Sequence, residues 1–186
     1  MIYTILQIAL NCINNITFMV NGILTARKKK LHPSVQLLCG ISSAFFGGIF
    51  LRDLALLHRL PAAFDSPLEF AAFVFIGILA VCILKKHTPD KRLCFLLHIA
   101  DLAGTAAFAS AGYNRGMLVG APWWTCFASG FVTACGGGII AAAIRAAFSK
   151  DPLHFIHTLK ENWRYYLYAA LMSAAQGIVS VFLPAL

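Results

Sequence analysis

ITFMVNGILTARKKKLHPSVQLLCGISSAFFGGI at residues 16–49 is matched, without a gap, ninety positions later by AAFASAGYNRGMLVGAPWWTCFASGFVTACGGGI at residues 106–139. Phe18, Gly22, Gly40, Ala44, Gly47, Gly48 and Ile49 return as Phe108, Gly112, Gly130, Ala134, Gly137, Gly138 and Ile139. Four of the seven repeated residues are glycine, the residue used where backbones approach closely or a helix bends. Each copy lies in a pair of long apolar segments, so the repeated unit reads as a membrane hairpin. An odd number of spans separates the copies, which predicts that the second is inverted relative to the first. Inverted repeats with interrupted helices are an architecture for moving small solutes across a bilayer.

Composition points the same way. Of the 186 residues, 60% are hydrophobic and only 12% charged, where a soluble domain carries about a quarter charged residues. Six stretches, near 2–24, 34–57, 67–84, 93–113, 121–147 and 165–184, are long enough to cross a hydrocarbon core of ~30 Å. They lack strict alternation and are too long for barrel strands. The expected fold is therefore an all-α integral membrane protein, an inverted repeat of two three-helix units. The chain reads as one membrane domain over 1–186, with a first repeat at 1–84 and a second at 93–184.

Charge placement predicts the orientation. The loops near 25–33, 85–92 and 148–164 hold eleven of the fifteen basic residues and three acids, a net charge of 11 − 3 = +8. The alternate loops carry Arg59, Arg115, Asp65 and Glu69, which cancel. By the positive-inside rule the first set is cytoplasmic and both termini lie outside. The net charge of +8 is thus a topology signal rather than a nucleic-acid patch, because the basic residues flank spans. The basic run at 27–30 suits anionic lipid heads. Met1 to Thr4 lacks a basic n-region, so the first apolar run is expected to be retained as a helix. Trp123, Trp124, Trp163, Tyr165, Tyr166 and Tyr168 fall at expected water interfaces and read as aromatic belts.

Within the spans, glycines and polar groups stand out. Gly40, Ala44 and Gly48 form a small-residue stripe, as do Gly130, Ala134 and Gly138, an ordinary device for close helix contact in lipid. Gly47–Gly48 and Gly136–Gly137–Gly138 are consecutive, and each glycine costs ~1 kcal/mol relative to alanine in a helix interior. They predict glycine-broken second and fifth helices whose freed backbone groups face a solute path. Asn11, Asn14 and Asn15 cluster on the first span, and Asp101 is the ninety-residue equivalent of Asn11. Arg52 and Asp53 follow the first glycine pair; ionisable groups inside spans are costly and tend to face a cavity or a partner. Arg145 and His98 are expected to snorkel to the interface. The six cysteines show no paired spacing, and His154 with His157 is too small a set for a metal site. With no catalytic or nucleotide-binding motif, no enzymatic activity, metal or cofactor is expected.

GGIFLRD at 47–53 resembles the glycine-rich, Arg-Asp-ending motif of the trimeric intracellular cation (TRIC) channels, especially the short bacterial type that also carries a glycine transporter label. FMVNGILTAR at 18–27 and LPAAF at 60–64 fit the flanks, while ADLAGTAAF at 100–108 and TACGGGII at 133–140 resemble the family's second copy. The resemblance implies a homotrimer with a pore in each protomer, lined by the second and fifth helices with the first and fourth alongside. It implies passage of potassium and other monovalent cations, with Gly47, Gly48, Arg52, Asp53, Gly137 and Gly138 as pore-motif residues. It departs from the family at Ile49 and Ile139, which replace a third glycine, at Ala142 and Ala143, which replace the second Arg-Asp, and in having six spans rather than seven.

The expected function is a passive monovalent-cation channel of a bacterial inner membrane, with Asn11, Asn15, Asp101 and Gly136 joining the pore-motif residues along the path. The alternative is a carrier of glycine or a similar small zwitterion, with Arg52 holding the carboxylate and Asp53 or Asp101 the ammonium. A third reading is a membrane-embedded scaffold in which the glycine stripes only pack helices.

Overall fold

The computed structural model describes residues 2–59, 67–86, 90–149 and 153–182; residues 60–64, quoted above, lie outside this set. Six long helices correspond to the six expected spans. They are α1 (Ile2–Lys28), α2 (Pro33–Ile41) continued by a wide-turn helix over Ser42–Leu56, α3 (Pro67–Lys86), α4 (Lys91–Leu118), α5 (Trp123–Phe148) and α7 (Trp163–Phe182). A short amphipathic helix, α6 (His154–Glu161), occupies the stretch read from sequence as a loop.

The ninety-residue repeat is reproduced bond by bond. Helix α1 ends where Lys30 turns left-handed (φ 56°), with the Leu31 amide donating to the Ala26 carbonyl and the Lys30 amide to that of Arg27. Helix α4 ends the same way at Gly120 (φ 70°), with Ala121 donating to Gly116 and Gly120 to Met117. These are paired Schellman closures. The next helices then start in register, Gln36 donating to the His32 carbonyl and Cys126 to that of Pro122.

Packing inside each hairpin repeats as well. A methyl group at Gly40 would stand 2.9 Å from the Met19 carbonyl oxygen, and one at Gly130 would stand 2.6 Å from that of Ala109. Gly22 closes on Cys39 and Ser43, and Gly112 on Ser129 and Thr133. Each of these partners is displaced by ninety residues from its counterpart. The two hairpins meet at equivalent residues, since the rings of Phe18 and Phe108 stack with centroids 5.1 Å apart. Around that stack lies a core of Ala109, Ala134, Cys135 and Ala169, made of small side chains because the helices run close together.

The second span is bent as expected. Pro33–Phe46 and Phe50–Leu56 meet at 49°, with the Gly47–Gly48 pair in the break. From Ser42 the turns widen to i→i+5 hydrogen bonding, and the Leu57 amide donates to the Arg52 carbonyl at 2.9 Å. At the junction the Ser42 hydroxyl donates to the Leu38 carbonyl at 2.7 Å, a side-chain competitor that loosens a helix.

The fifth span corrects the expectation of a second break. Helix α5 runs continuously from Trp123 to Phe148, through Gly136, Gly137 and Gly138. Gly136 and Gly137 are buried, and Gly137 lies directly on the Ser42 and Ser43 carbonyls. Close packing against the widened helix offsets the ~1 kcal/mol propensity cost of each glycine, so the hydrogen-bond ladder survives. Glycine serves here as a contact surface, not a hinge.

Candidate functional site

A polar cavity of about 550 Å³ opens among α1, α4, α5, α6 and α7; Phe18, Ser43, Gly138 and Arg145 contribute to its lining, and Lys29 and Glu161 carry charge into it. A second cavity of about 680 Å³ shares Asn21, Thr25, Asp101 and Asn162 with the first, so the two form one vestibule. It lies at the end of the helices that bears the basic loops. Phe18 lies ten residues before Lys28, the last residue of α1, and Lys29 follows directly, which makes the vestibule roughly 15 Å deep, about half a hydrocarbon core of ~30 Å. The Phe18–Phe108 stack stands at its inner end.

Side chains reach the vestibule because of helical spacing. Phe18, Asn21, Gly22 and Thr25 are separated by three and four residues, so they share one face of α1. Asp101 projects from α4 next to Asn21, whose amide donates toward the carboxyl group, and His98 lies on the same side. The Thr105 hydroxyl, one turn further along, bonds the Asp101 carbonyl at 2.8 Å and the Tyr165 hydroxyl at 2.6 Å, tying α4 to α7. Gly138 has open space where a side chain would be, which leaves room beside Ser43.

The residues expected along a path are distributed unequally. Asp101 and Gly138 line the vestibule. Gly136 and Gly137 are buried behind it. Gly47 and Gly48 form the bend in the second span. Arg52 and Asp53 line neither cavity. They grip each other instead, with Arg52 Nε donating to Asp53 Oδ1 at 2.6 Å and Nη2 to Oδ2 at 3.0 Å, and the Asp53 side chain is only 1% exposed. Asn15 is half-buried and lines neither cavity; the side chain of Asn11 lies outside the described set. Asn14 is buried, and both it and Phe18 face Gly104.

Several lining residues were not singled out from sequence. Asn21 and Thr25 extend the Asn14–Phe18 stripe by helical steps, so the periodicity already contained them. Tyr165 and Tyr166, read as interfacial, turn inward instead. Arg145, expected to snorkel, is only 6% exposed and lines the cavity. α5 carries it against Cys39 of α2 and Tyr166 of α7, where it is buried.

The class of molecule is now defined: a helical membrane protein of repeated hairpins, packed through glycines around a polar half-cavity. Its fold is that of the TRIC channels. It superposes on a TRIC cation channel studied for conductance, with a TM-score of 0.62 at 22% identity over 95% of this chain and 93% of the other. It also superposes on the TRIC trimeric intracellular cation channel orthologue of Rhodobacter sphaeroides, with a TM-score of 0.60 at 22% identity over 93% and 97% of the two chains. The glycine transporter family model matches residues 8–86 and again 98–183, the two matches starting 98 − 8 = 90 residues apart. The chain belongs to that family. It is 27% identical over 131 residues to the UPF0126 inner membrane protein YadS of Escherichia coli, covering 70% of this chain and 62% of that protein. It is likewise 27% identical over 124 residues to a UPF0126 membrane protein of Vibrio cholerae, covering 66% and 50%. The chain thus spans between half and two thirds of the curated relatives it matches.

Proposed function

We propose that the chain is a passive channel for monovalent cations, potassium among them, with one path in each protomer of a homotrimer. It would act in a bacterial inner membrane with its basic loops in the cytoplasm and its two halves inverted. The observation that carries the reading is the vestibule itself: a half-membrane polar cavity with Asp101, Asn21 and Ser43 on its wall, stopped at the aromatic pair where the repeats meet. Oxygen ligands of this kind replace the hydration shell of a cation, and a carboxylate in a low-dielectric recess raises the local cation concentration. The TRIC fold supports the same reading, as does the contact between equivalent Phe18 and Phe108, which a local two-fold axis between inverted halves would produce. Neither family membership nor the site suggests an enzymatic activity.

The zwitterion carrier took its carboxylate ligand from Arg52, and that guanidinium is occupied by Asp53 at 2.6 Å. The channel is therefore the better-supported reading. Purified protein in potassium-loaded liposomes should pass potassium when a membrane potential is imposed, and Asp101→Asn should reduce that flux several-fold. Folded, reconstituted protein with no flux would refute the channel, as would an Asp101→Asn variant with undiminished flux.

A further inference from the structure

Among the described side chains, four carboxyl or guanidinium groups lie well inside the spans: Arg52, Asp53, Asp101 and Arg145. Arg52 and Asp53 neutralise each other. Asp101 and Arg145 line the same cavity but form no ion pair among the described residues. Arg145 is the more demanding of the two. It is 6% exposed and its Nε has no hydrogen-bond partner; the groups beside it are the Cys39 thiol, within hydrogen-bond reach of the guanidinium, and the Tyr166 hydroxyl, neither of them a carboxylate. A guanidinium stays protonated at any physiological pH and offers five N–H donors in one plane, with no acceptor of its own. Beside it the wall adds the Tyr166 hydroxyl, while Ser43 and the open space at Gly138 lie two turns of α5 deeper in the same cavity. The wall also carries Asp101 and Glu161, but neither forms an ion pair with Arg145 among the described residues, inside a region where an uncompensated charge is costly.

We propose that the part of the vestibule beside Arg145 binds a small soluble anion, a halide or a short carboxylate, as the exchangeable counter-ion of Arg145. The geometry favours an occupant of a few heavy atoms that accepts from the guanidinium face turned to the cavity. Asp101, with Asn21 beside it, remains the cation-attracting part of the wall. The inference concerns a second site within the cavity used by the proposed path, but its test reads binding and not flux, so the two can fail separately.

Thermal unfolding of the detergent-purified protein, titrated with chloride against gluconate at constant ionic strength, tests the idea. Chloride and acetate should raise the midpoint saturably, by about 3 °C at several times the dissociation constant, and the bulkier gluconate should not. Arg145→Lys should keep the response and Arg145→Gln should lose it. A chloride response that persists in Arg145→Gln, or no response in the wild type, overturns the proposal. So does stabilisation by phosphatidylglycerol but not by chloride, which would assign the same donors to a lipid headgroup. Should Arg145→Gln fail to fold, crystals of the wild type soaked in bromide decide the matter. Anomalous density against the guanidinium supports the site, and its absence rejects it.

Discussion

Two adjacent glycines of α5 should respond to the same substitution with opposite signs. A methyl group at Gly137 would stand 2.6 Å from the Ser42 carbonyl oxygen, with the Ser43 carbonyl as close. Ordinary contact is about 3.5 Å, so α5 and the widened helix must separate by roughly 1 Å. Both obstacles are backbone, and no side chain can swing aside. Overpacking of this kind costs about 1–3 kcal/mol; subtracting the ~1 kcal/mol that alanine gains in a helix leaves a net loss of about 1–2 kcal/mol for Gly137→Ala. One residue on, Gly138 has nothing within 4 Å of a new methyl group. Gly138→Ala keeps only the propensity term and should gain about 0.5–1 kcal/mol. For a chain of this size 1 kcal/mol moves the midpoint by about 2–4 °C. The two variants should therefore differ by several degrees, with wild type between them. Unfolding of purified protein in detergent, followed by the fluorescence of Trp123, Trp124 and Trp163, measures this directly. If Gly138→Ala falls as far as Gly137→Ala, or Gly137→Ala unfolds with the wild type, the packing account of the glycine triplet is wrong.

Phe18→Leu removes half of the ring stack at the inner end of the vestibule while keeping an apolar side chain, and should raise basal potassium flux per folded protein several-fold in liposomes; unchanged flux would show that the stack does not limit passage. Arg52→Gln should destabilise by about 1–3 kcal/mol, because it removes the bidentate cation from a buried carboxylate, whereas the double change Arg52→Met with Asp53→Leu should recover most of that loss in the same unfolding assay. Lys30→Gly should stabilise by about 1 kcal/mol, since Lys30 holds φ 56° in a conformation that costs an L-residue about 1–2 kcal/mol; a lowered midpoint would mean that the lysine side chain contributes more than its backbone strain costs.

Much of the architecture was readable in one dimension. Six apolar runs, each about the length of a bilayer crossing, leave a chain no soluble alternative. Glycines recurring at a fixed interval require that two hairpins pack by the same contacts, and the closures at Lys30 and Gly120 follow that interval to the residue. The part of α1 facing the vestibule was also present in its spacing, since Asn21 and Thr25 continue the helical stripe of Asn14 and Phe18.

What a glycine does, however, depends on what stands opposite it, and sequence does not carry that information. Gly47–Gly48 and Gly136–Gly138 look alike as strings, yet one pair sits in a 49° bend and the triplet lies in an unbroken helix, because Gly137 has the carbonyls of Ser42 and Ser43 to rest on. The charged residues divide in the same way. Arg52 and Asp53 are neighbours that satisfy each other, so their prominence in the motif conceals a closed pair. Arg145 seemed free to reach the surface, yet it is buried against Cys39 of α2 and Tyr166 of α7. Periodicity and hydropathy are local properties and determined the spans; the pairing of buried charges and the location of open space are properties of helices meeting across the molecule, and only the tertiary structure decided them.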